Sequence, residues 1–196
     1  MGETRNPSRD ESEPVVSVPQ AEQGTTIKVE TYSSGHLPDG KIAEDMSRLF
    51  LNNYPDMYTE ELRKIDLERY DSSEKIQQQI KDGNIFITAA VEDKMAGMIK
   101  FRQESRTDNP DCEEWLVSWL IVDKPYRKLK LGVVDKLIED FLMVMSERKK
   151  ASGKRIFMVA DVHKDNKGSI YFCKKMGCDE GAGKKKDYLL FRREVN

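Results

Sequence analysis

The stretch that decides the fold is 121-IVDKPYRKLKLGVVDKLIEDF-141, in which the end of an apolar strand turns abruptly into a helix. One arginine, three lysines and one glycine lie in or around the turn. The first turn of a helix presents unpaired backbone N–H groups and the positive end of the helix dipole. Basic residues at such a turn therefore favour a site for a bound phosphate group.

Composition limits the classes of partner. The chain has 196 residues, 38% of them hydrophobic, and 33 Lys and Arg against 35 Asp and Glu give a net charge of -2. A near-neutral chain of this length predicts one α/β domain and argues against nucleic acid or a membrane surface as a partner. No apolar run reaches the roughly 18 residues of a membrane span.

The three cysteines, Cys112, Cys173 and Cys178, do not have the spacing of metal ligands. Their odd number in a chain with no recognisable secretory signal favours a reducing compartment. We therefore expect a cytoplasmic protein without a metal site. A homodimer is compatible with the sequence, which leaves the oligomeric state open.

The first 25 residues differ from the rest of the chain in composition. Residues 1–25 are rich in Pro, Ser, Glu and Gln and contain no aromatic residue. Such a segment cannot bury enough apolar surface to order itself, so it predicts a disordered N-terminal tail. A strand begins at about Thr26, and residues 26–196 are predicted to form the folded domain.

The first half of the domain reads as one strand, three helices and a hairpin. A helix is expected from Lys41 to about Asn53, followed by two short polar helices that break near Asp71 to Ser73. The segments NIFITAAVED and KMAGMIKFRQES alternate around a tight EDK connection and predict an antiparallel hairpin.

The second half contains two apolar strands joined by a helix. Trp115 to Val122 is nearly all apolar and predicts a central strand buried on both faces. A helix opening at about Lys130 leads to a second apolar strand, RIFMVADVH, then to a short helix and a closing strand. Strand, helix and strand in this order form a right-handed parallel unit, so the fold class is α/β with a mixed sheet.

Two motifs resemble the GNAT superfamily of acyl-CoA-dependent N-acyltransferases. VSWLIVDKPYRKLKLGVVDKLI is similar to the family's strand, pyrophosphate loop and helix, and NKGSIYFCKKMGC is similar to its later N-x-x-A-x-x-x-Y-x-K-x-G-F helix. The two occur in order, about 35 residues apart. The resemblance implies a GNAT-like fold, a central mixed sheet with splayed parallel strands flanked by helices, over residues 26–196.

The resemblance assigns the basic turn to the pyrophosphate of acetyl-CoA. The family loop reads Arg/Gln-x-x-Gly-x-Gly/Ala, which places Arg127, Lys130 and Gly132 at its three defined positions. Lysine thus replaces the first glycine. Its ammonium group either narrows the site or contacts a phosphate oxygen. The implied cofactor-binding residues of this segment are Arg127, Lys128, Lys130, Leu131, Gly132 and Val133. A solvated basic turn without a ligand is the other interpretation.

The same resemblance places the pantetheine arm between two splayed parallel strands. Main-chain atoms of Leu120, Ile121 and Val122 would contact it, and Asn166, the first residue of the second motif, belongs to the same cofactor site. Ligands of parallel sheets also bind at the carboxyl ends of strands.

Two residues are candidates for the chemistry. The family often uses a tyrosine of the last helix as general acid, and Cys173 occupies that position; packing in the helix core is the alternative for a cysteine at this spacing. Glu114 shares a strand face with Leu116, Ser118 and Leu120 and is the candidate base. A solvated strand end is the alternative for Glu114, and Glu113 and His163 are weaker candidates.

The function implied is an N-acetyltransferase that moves an acetyl group from acetyl-CoA to an amine, on a small molecule or on a protein or peptide. Lys130 and Cys173 depart from the family pattern. The alternative is therefore a catalytically degenerate module of the same fold that binds CoA or another protein.

Overall fold

A computed structural model describes residues 26–54, 60–104, 109–183 and 185–195. The predicted tail of residues 1–25 lies outside these ranges. No helix within them is long and apolar enough to cross a membrane.

The core of the fold is one mixed sheet of seven strands in the order β1-β2-β3-β4-β5-β7-β6. Strands β4 and β5 are parallel, and all other neighbours are antiparallel. The strands are β1 Ile27–Tyr32, β2 Ile85–Val91, β3 Lys94–Glu104, β4 Cys112–Val122, β5 Arg155–His163, β6 Asp179–Ala182 and β7 Tyr188–Glu194. This is the mixed sheet that the sequence predicted.

Helices cover both faces of the sheet. They are α1 Gly40–Asn52, α2 Glu60–Tyr70, α3 Ser73–Lys81, α4 Lys124–Arg127, α5 Val133–Ser152 and α6 Lys167–Lys175. One buried cluster joins α5 and α6 to the sheet, with Phe101, Leu137 and Phe141 at its centre. A second cluster lies under α1 and α3 on the other face and includes Phe50 and Ile76. Burial of these two apolar faces accounts for the three-layer architecture.

Several local predictions are confirmed. Strands β2 and β3 are joined by Glu92 and Asp93, whose φ angles of 51° and 60° match a two-residue hairpin turn with both central residues left-handed. Helices α2 and α3 are separated at Asp71 and Ser72, and the Ser72 hydroxyl accepts a hydrogen bond from the Lys75 N–H. Serine at this position caps the free amides of a helix start.

The predicted start of the long helix at Lys130 is wrong. Helix α5 begins at Val133, three residues later, and residues Lys124–Arg127 form the separate short helix α4. Lys130 and Gly132 have φ angles of 49° and 79°. A right-handed helix requires a negative φ, so it cannot include either residue.

The prediction that β4 is buried on both faces is only partly correct. Trp115, Val117 and Ile121 are buried, but Ser118 is exposed and Leu120 is only partly buried. The reason is that β5 accompanies β4 along only part of its length.

Candidate active site

The two parallel strands separate halfway along the sheet. Strand β4 pairs with β5 from Cys112↔Arg155 to Leu116↔Val159, and no further. Beyond Val159, β5 continues to pair with β7 as far as His163↔Tyr188, while β4 continues to pair with β3. The second half of β4 therefore has one free edge, which faces a gap in the sheet.

A bulge lies where the strands part. On β3, Lys100 and Phe101 are consecutive, but their partners on β4 are Trp119 and Val117, so Ser118 is an extra residue. An extra residue bends a strand and increases its local twist. We infer that the bulge at Ser118 directs the end of β4 away from β5.

A cleft of about 700 Å³ occupies the gap. We call it the β4–α6 cleft, because the end of β4 lines one side and the start of α6 the other. The last residues of α1 and Arg63 of α2 also contribute. Five of the predicted cofactor residues are brought together here: Leu120, Ile121, Val122, Arg127 and Asn166.

Backbone groups of β4 point into this cleft. The Asp123 N–H donates to the Ala96 carbonyl at 2.9 Å, on the β3 side. Because backbone groups alternate in direction along a strand, those of Leu120 and Val122 point to the opposite side, into the gap. Ile121 points toward β3. Leu120 can therefore pair with a ligand there through its N–H and carbonyl groups, and Val122 through its N–H, because the Val122 carbonyl accepts a hydrogen bond from Arg127.

The turn before α5 is the amide-rich loop that the sequence predicted. In the described part of the chain, the first hydrogen bond at the start of α5 runs from the Lys136 N–H to the Gly132 carbonyl, at 2.9 Å. The backbone N–H groups of residues 130–134 donate no hydrogen bond to another described residue. Lys128, Lys130, Leu131, Gly132 and Val133 all belong to this segment. Free amides at the positive end of a 20-residue helix suit an anion.

Lys130 occupies the position of the family's first glycine and adopts the conformation that favours glycine. Its φ of 49° lies in the left-handed region, which is costly for residues with a Cβ atom. Its side chain is exposed. The glycine-like backbone of the loop is thus kept despite the substitution.

Arg127 connects the end of β4 to the end of helix α1. Its Nε donates to the Val122 carbonyl at 2.8 Å, and an Nη atom donates to Asn53 Oδ1 at 2.7 Å. Asn53 Nδ2 in turn donates to Asp123 Oδ1 at 2.9 Å. Arg127 therefore ties the end of β4 to helix α1, and two of its donor groups are already in use.

Cys173 is a core residue. It is 1% exposed and packs in the cluster beneath α6, although it also borders a small cavity of about 40 Å³ that adjoins the β4–α6 cleft. A hydrogen bond with Cys178 and burial raise the pKa of the Cys173 thiol far above its ordinary value. A thiol that holds its proton so tightly is a poor general acid. Its catalytic role stays an untested prediction that this environment disfavours.

Glu114 lies at the other end of β4 from the cleft. It is six residues before Leu120, which is about 20 Å along a strand. Its Oε1 accepts a hydrogen bond from Arg192 Nε at 3.2 Å, and it lines neither large cavity at the gap. Its role as base is likewise untested and disfavoured by its position.

A second cavity, of about 510 Å³, lies on the α1–α3 face of the sheet. We call it the α2 cavity, because Asp66, Arg69 and Tyr70 of α2 form one wall. Lys100 of β3 is 5% exposed and lines it, and its ammonium group donates to the Tyr70 hydroxyl. Burial, and next the charge of Arg102, lower the pKa of Lys100 to about 7.

Asp161 lies where the cavities meet. The register Leu116↔Val159 brings Asp161 level with Ser118 across the gap, and Asp161 borders both the α2 cavity and the small cavity beside Cys173. The two large cavities themselves share Ser118 and Trp119. Sequence reasoning missed Asp161 and Lys100. The available signal was a charged residue between two apolar neighbours in each strand, in the segments IKF of β3 and ADV of β5.

The sequence of this chain is similar to that of a known protein family. The model of the acetyltransferase (GNAT) family matches residues 44–178. No curated protein matches the chain.

Solved structures share the fold. A GNAT-family protein from Desulfovibrio desulfuricans is 19% identical with a TM-score of 0.62, covering 87% of this chain and 100% of that one. The PaiA N-acetyltransferase from Thermoplasma acidophilum, in complex with coenzyme A, is 18% identical with a TM-score of 0.58, over 86% and 99%. Ard1 from Thermoplasma volcanium is 20% identical with a TM-score of 0.55, over 87% and 98%.

Proposed function

The chain belongs to the acetyltransferase (GNAT) family, and we propose that it transfers an acetyl group from acetyl-CoA to an amine acceptor. The separation of β4 from β5 after Leu116 carries this proposal. It leaves backbone groups free beside a 700 Å³ cleft, and that volume falls within the range of small-molecule sites.

The pyrophosphate, the pantetheine arm and the thioester of acetyl-CoA each have a matching group. The free amides of residues 130–134 bind the pyrophosphate, and Lys128 and Lys130 add positive charge nearby. The pantetheine arm lies in the β4–α6 cleft, where Leu120 and Val122 offer main-chain groups and Asn166 faces it from α6. The thioester then lies near Ser118, which borders both large cavities.

The reaction requires a neutral amine. After the acceptor ammonium loses a proton, its nitrogen attacks the thioester carbonyl carbon and a C–N bond forms. The nitrogen then loses a second proton to solvent, and the C–S bond of the tetrahedral intermediate breaks. Coenzyme A leaves as a thiolate and takes up a proton from solvent. A backbone N–H facing the gap stabilises the carbonyl oxygen as it gains negative charge.

The inactive module of the same fold is the competing function. The lysine at position 130 and the buried Cys173 favour it, because neither matches the family pattern. The two functions differ in turnover, not in binding of the cofactor.

Two measurements, one of acetyl-CoA binding and one of acetyl transfer, test the proposal. Acetyl-CoA at one hundred times its Kd should stabilise the fold by about 2.7 kcal/mol, or roughly 5–10 °C in Tm, because it binds only the folded chain. Release of free CoA is then measured with acetyl-CoA and a panel of amines and peptides. No thermal shift would overturn the proposal entirely. A shift without CoA release from any amine would favour the inactive module.

A further inference from the structure

The α2 cavity carries charges of both signs. Asp66, Asp82 and Asp161 line it, and so do Arg69, Lys100 and Arg102. A site for a polycation would be expected to be acidic throughout, and a site for a polyanion basic throughout. The positions of the acidic and basic groups in the cavity therefore indicate which charges the acceptor carries.

One of the three acidic groups, Asp161, lies toward β5, whereas Asp66 belongs to α2 and Asp82 follows α3. Asp161 is exposed on β5 and lies level with Ser118, the residue near which we place the thioester. The other two carboxylates have hydrogen-bond partners: Asp66 accepts from the Tyr54 hydroxyl at 2.9 Å, and Asp82 accepts from the Gln78 side chain at 2.8 Å. Within the described residues no salt bridge neutralises Asp161.

The basic groups lie toward β3 and α2. Lys100 is buried, and its ammonium group has the Tyr70 hydroxyl as a hydrogen-bond acceptor, which leaves two of its three protons for another partner. Arg69 has no salt bridge among the described residues, whereas Arg102 is paired with Glu104 at 3.0 Å. Lys100 and Arg69 are thus the cations available to a ligand.

The two groups are separated by one strand. Lys100 on β3 and Asp161 on β5 lie on either side of β4, so their main chains are farther apart than the roughly 10 Å of two ordinary strand spacings, because β5 leaves β4 beyond Val159. A ligand that contacts both side chains must therefore carry its own two charges several bonds apart.

We propose that the acceptor is a small molecule that carries a primary amine and, several bonds away, a carboxylate or similar anionic group. Asp161 holds the ammonium at the thioester, and Lys100 and Arg69 hold the anion at the far wall. This assignment rests on the proposed acetyl transfer. Asp161 then accepts the proton that the ammonium must lose before its nitrogen attacks the acetyl carbon, and passes it to solvent.

A series of acceptors of equal length tests the charge requirement. CoA release is measured with 4-aminobutanoate and 5-aminopentanoate, with butylamine and pentylamine, and with 1,4-diaminobutane. The ω-amino acids should exceed the alkylamines in kcat/KM by at least tenfold, and the diamine should be the poorest, because its second ammonium faces Lys100 and Arg69. Equal rates for all three classes, or a preference for the diamine, would overturn the proposal while leaving acetyl transfer intact.

Substitutions test which wall of the α2 cavity binds the anion and which binds the ammonium group. Arg69→Gln should raise KM for 5-aminopentanoate about tenfold and leave that for pentylamine unchanged. Lys64→Gln is the matched control: it lies on the same helix, about 200° round from Asp66, and should change neither. Asp161→Asn should lower kcat/KM for both amines by at least a hundredfold. An Arg69→Gln variant that affects both amines equally would contradict the anion site.

A binding measurement separates this inference from the proposed function. If no amine releases CoA, acetyl transfer fails, but 5-aminopentanoate can still be titrated calorimetrically into the protein with CoA present. Binding that weakens tenfold in Arg69→Gln supports the charged site. Absence of binding to the unsubstituted protein overturns it.

Discussion

The two halves of strand β4 have opposite surroundings. Residues 112–116 pair with β5, and residues 114–116 pair with β3 as well, as an interior strand of a mixed sheet should. Residues 117–122 are paired on one edge only and face a cleft on the other. The first half therefore holds the sheet together, whereas the second half has backbone groups free to pair with a ligand.

Proline substitutions give the largest expected effect. Ile121→Pro removes an N–H that points toward β3 and should destabilise the fold by about 3 kcal/mol or more. Leu120→Pro removes an N–H that points into the gap, so it should cost much less stability but weaken acetyl-CoA binding at least tenfold. Chemical unfolding and calorimetric titration measure the two effects. Equal destabilisation by both would mean that the edge is not free.

Placing a carboxylate in the loop beyond β4 should abolish cofactor binding. Gly132→Asp puts negative charge among the amides of residues 130–134, and the Kd for acetyl-CoA should rise at least a hundredfold. Gly153→Asp is the control, because Gly153 ends the same helix with a similar φ of 69°, about 30 Å away. Gly153→Asp likewise places a residue with a Cβ atom at a positive φ, and it should leave the Kd for acetyl-CoA unchanged. Similar Kd changes in both variants would contradict a pyrophosphate site at this loop.

Lys100, opposite Trp119 where the two halves meet, should make stability depend on pH. Its pKa is about 7 in the folded chain and 10.5 in the unfolded chain, so the unfolded state binds more protons between these values. The cost of burying its charge is fully present below pH 7 and decreases as the pH rises toward 10.5.

Comparison with Lys100→Met measures this effect. The stability of the unsubstituted protein relative to the variant should increase by about 3 kcal/mol between pH 6 and pH 9, by chemical unfolding at each pH. The charged or titratable groups around Lys100 are Tyr70, Arg102, Asp66 and Arg69, and the pKa of Tyr70 is raised to about 12 by burial and then by Asp66. A constant difference across this range would show that Lys100 titrates normally.

The smallest expected effect concerns the loop backbone. Lys130→Gly relieves a left-handed φ of 49° and should stabilise the fold by about 1 kcal/mol or less, because the unfolded chain gains freedom at the same time. Its Kd for acetyl-CoA should rise no more than a few fold, since the amides, not the ammonium, supply most of the binding. A loss of tenfold or more would assign a main role to the Lys130 side chain.

Local patterns predicted most of the fold. The hairpin at Glu92, the helix break at Ser72 and the parallel strands could all be inferred from residues close together in sequence. The start of α5 could not, because the φ angles of Lys130 and Gly132 depend on how the loop meets the sheet.

The site was predictable only on the cofactor side. Leu120, Val122, Arg127 and Asn166 follow from the two motifs and do line one cleft. Asp161 and Lys100 lie on strands separated by β4, and only the register and the bulge bring them to the same cavity. The same information was needed to see that Glu114 lies at the end of β4 that is away from the cleft.

The single extra residue at Ser118 also reverses the side-chain parity of β4. Before it, Trp115 and Val117 pack in the cluster beneath α5; after it, Trp119 and Ile121 belong to the cluster beneath α1 and α3. Deleting Ser118 would turn Trp119 toward the wrong layer, since a shift of one residue inverts a strand. Homologous chains should therefore tolerate many side chains at this position but neither an insertion nor a deletion.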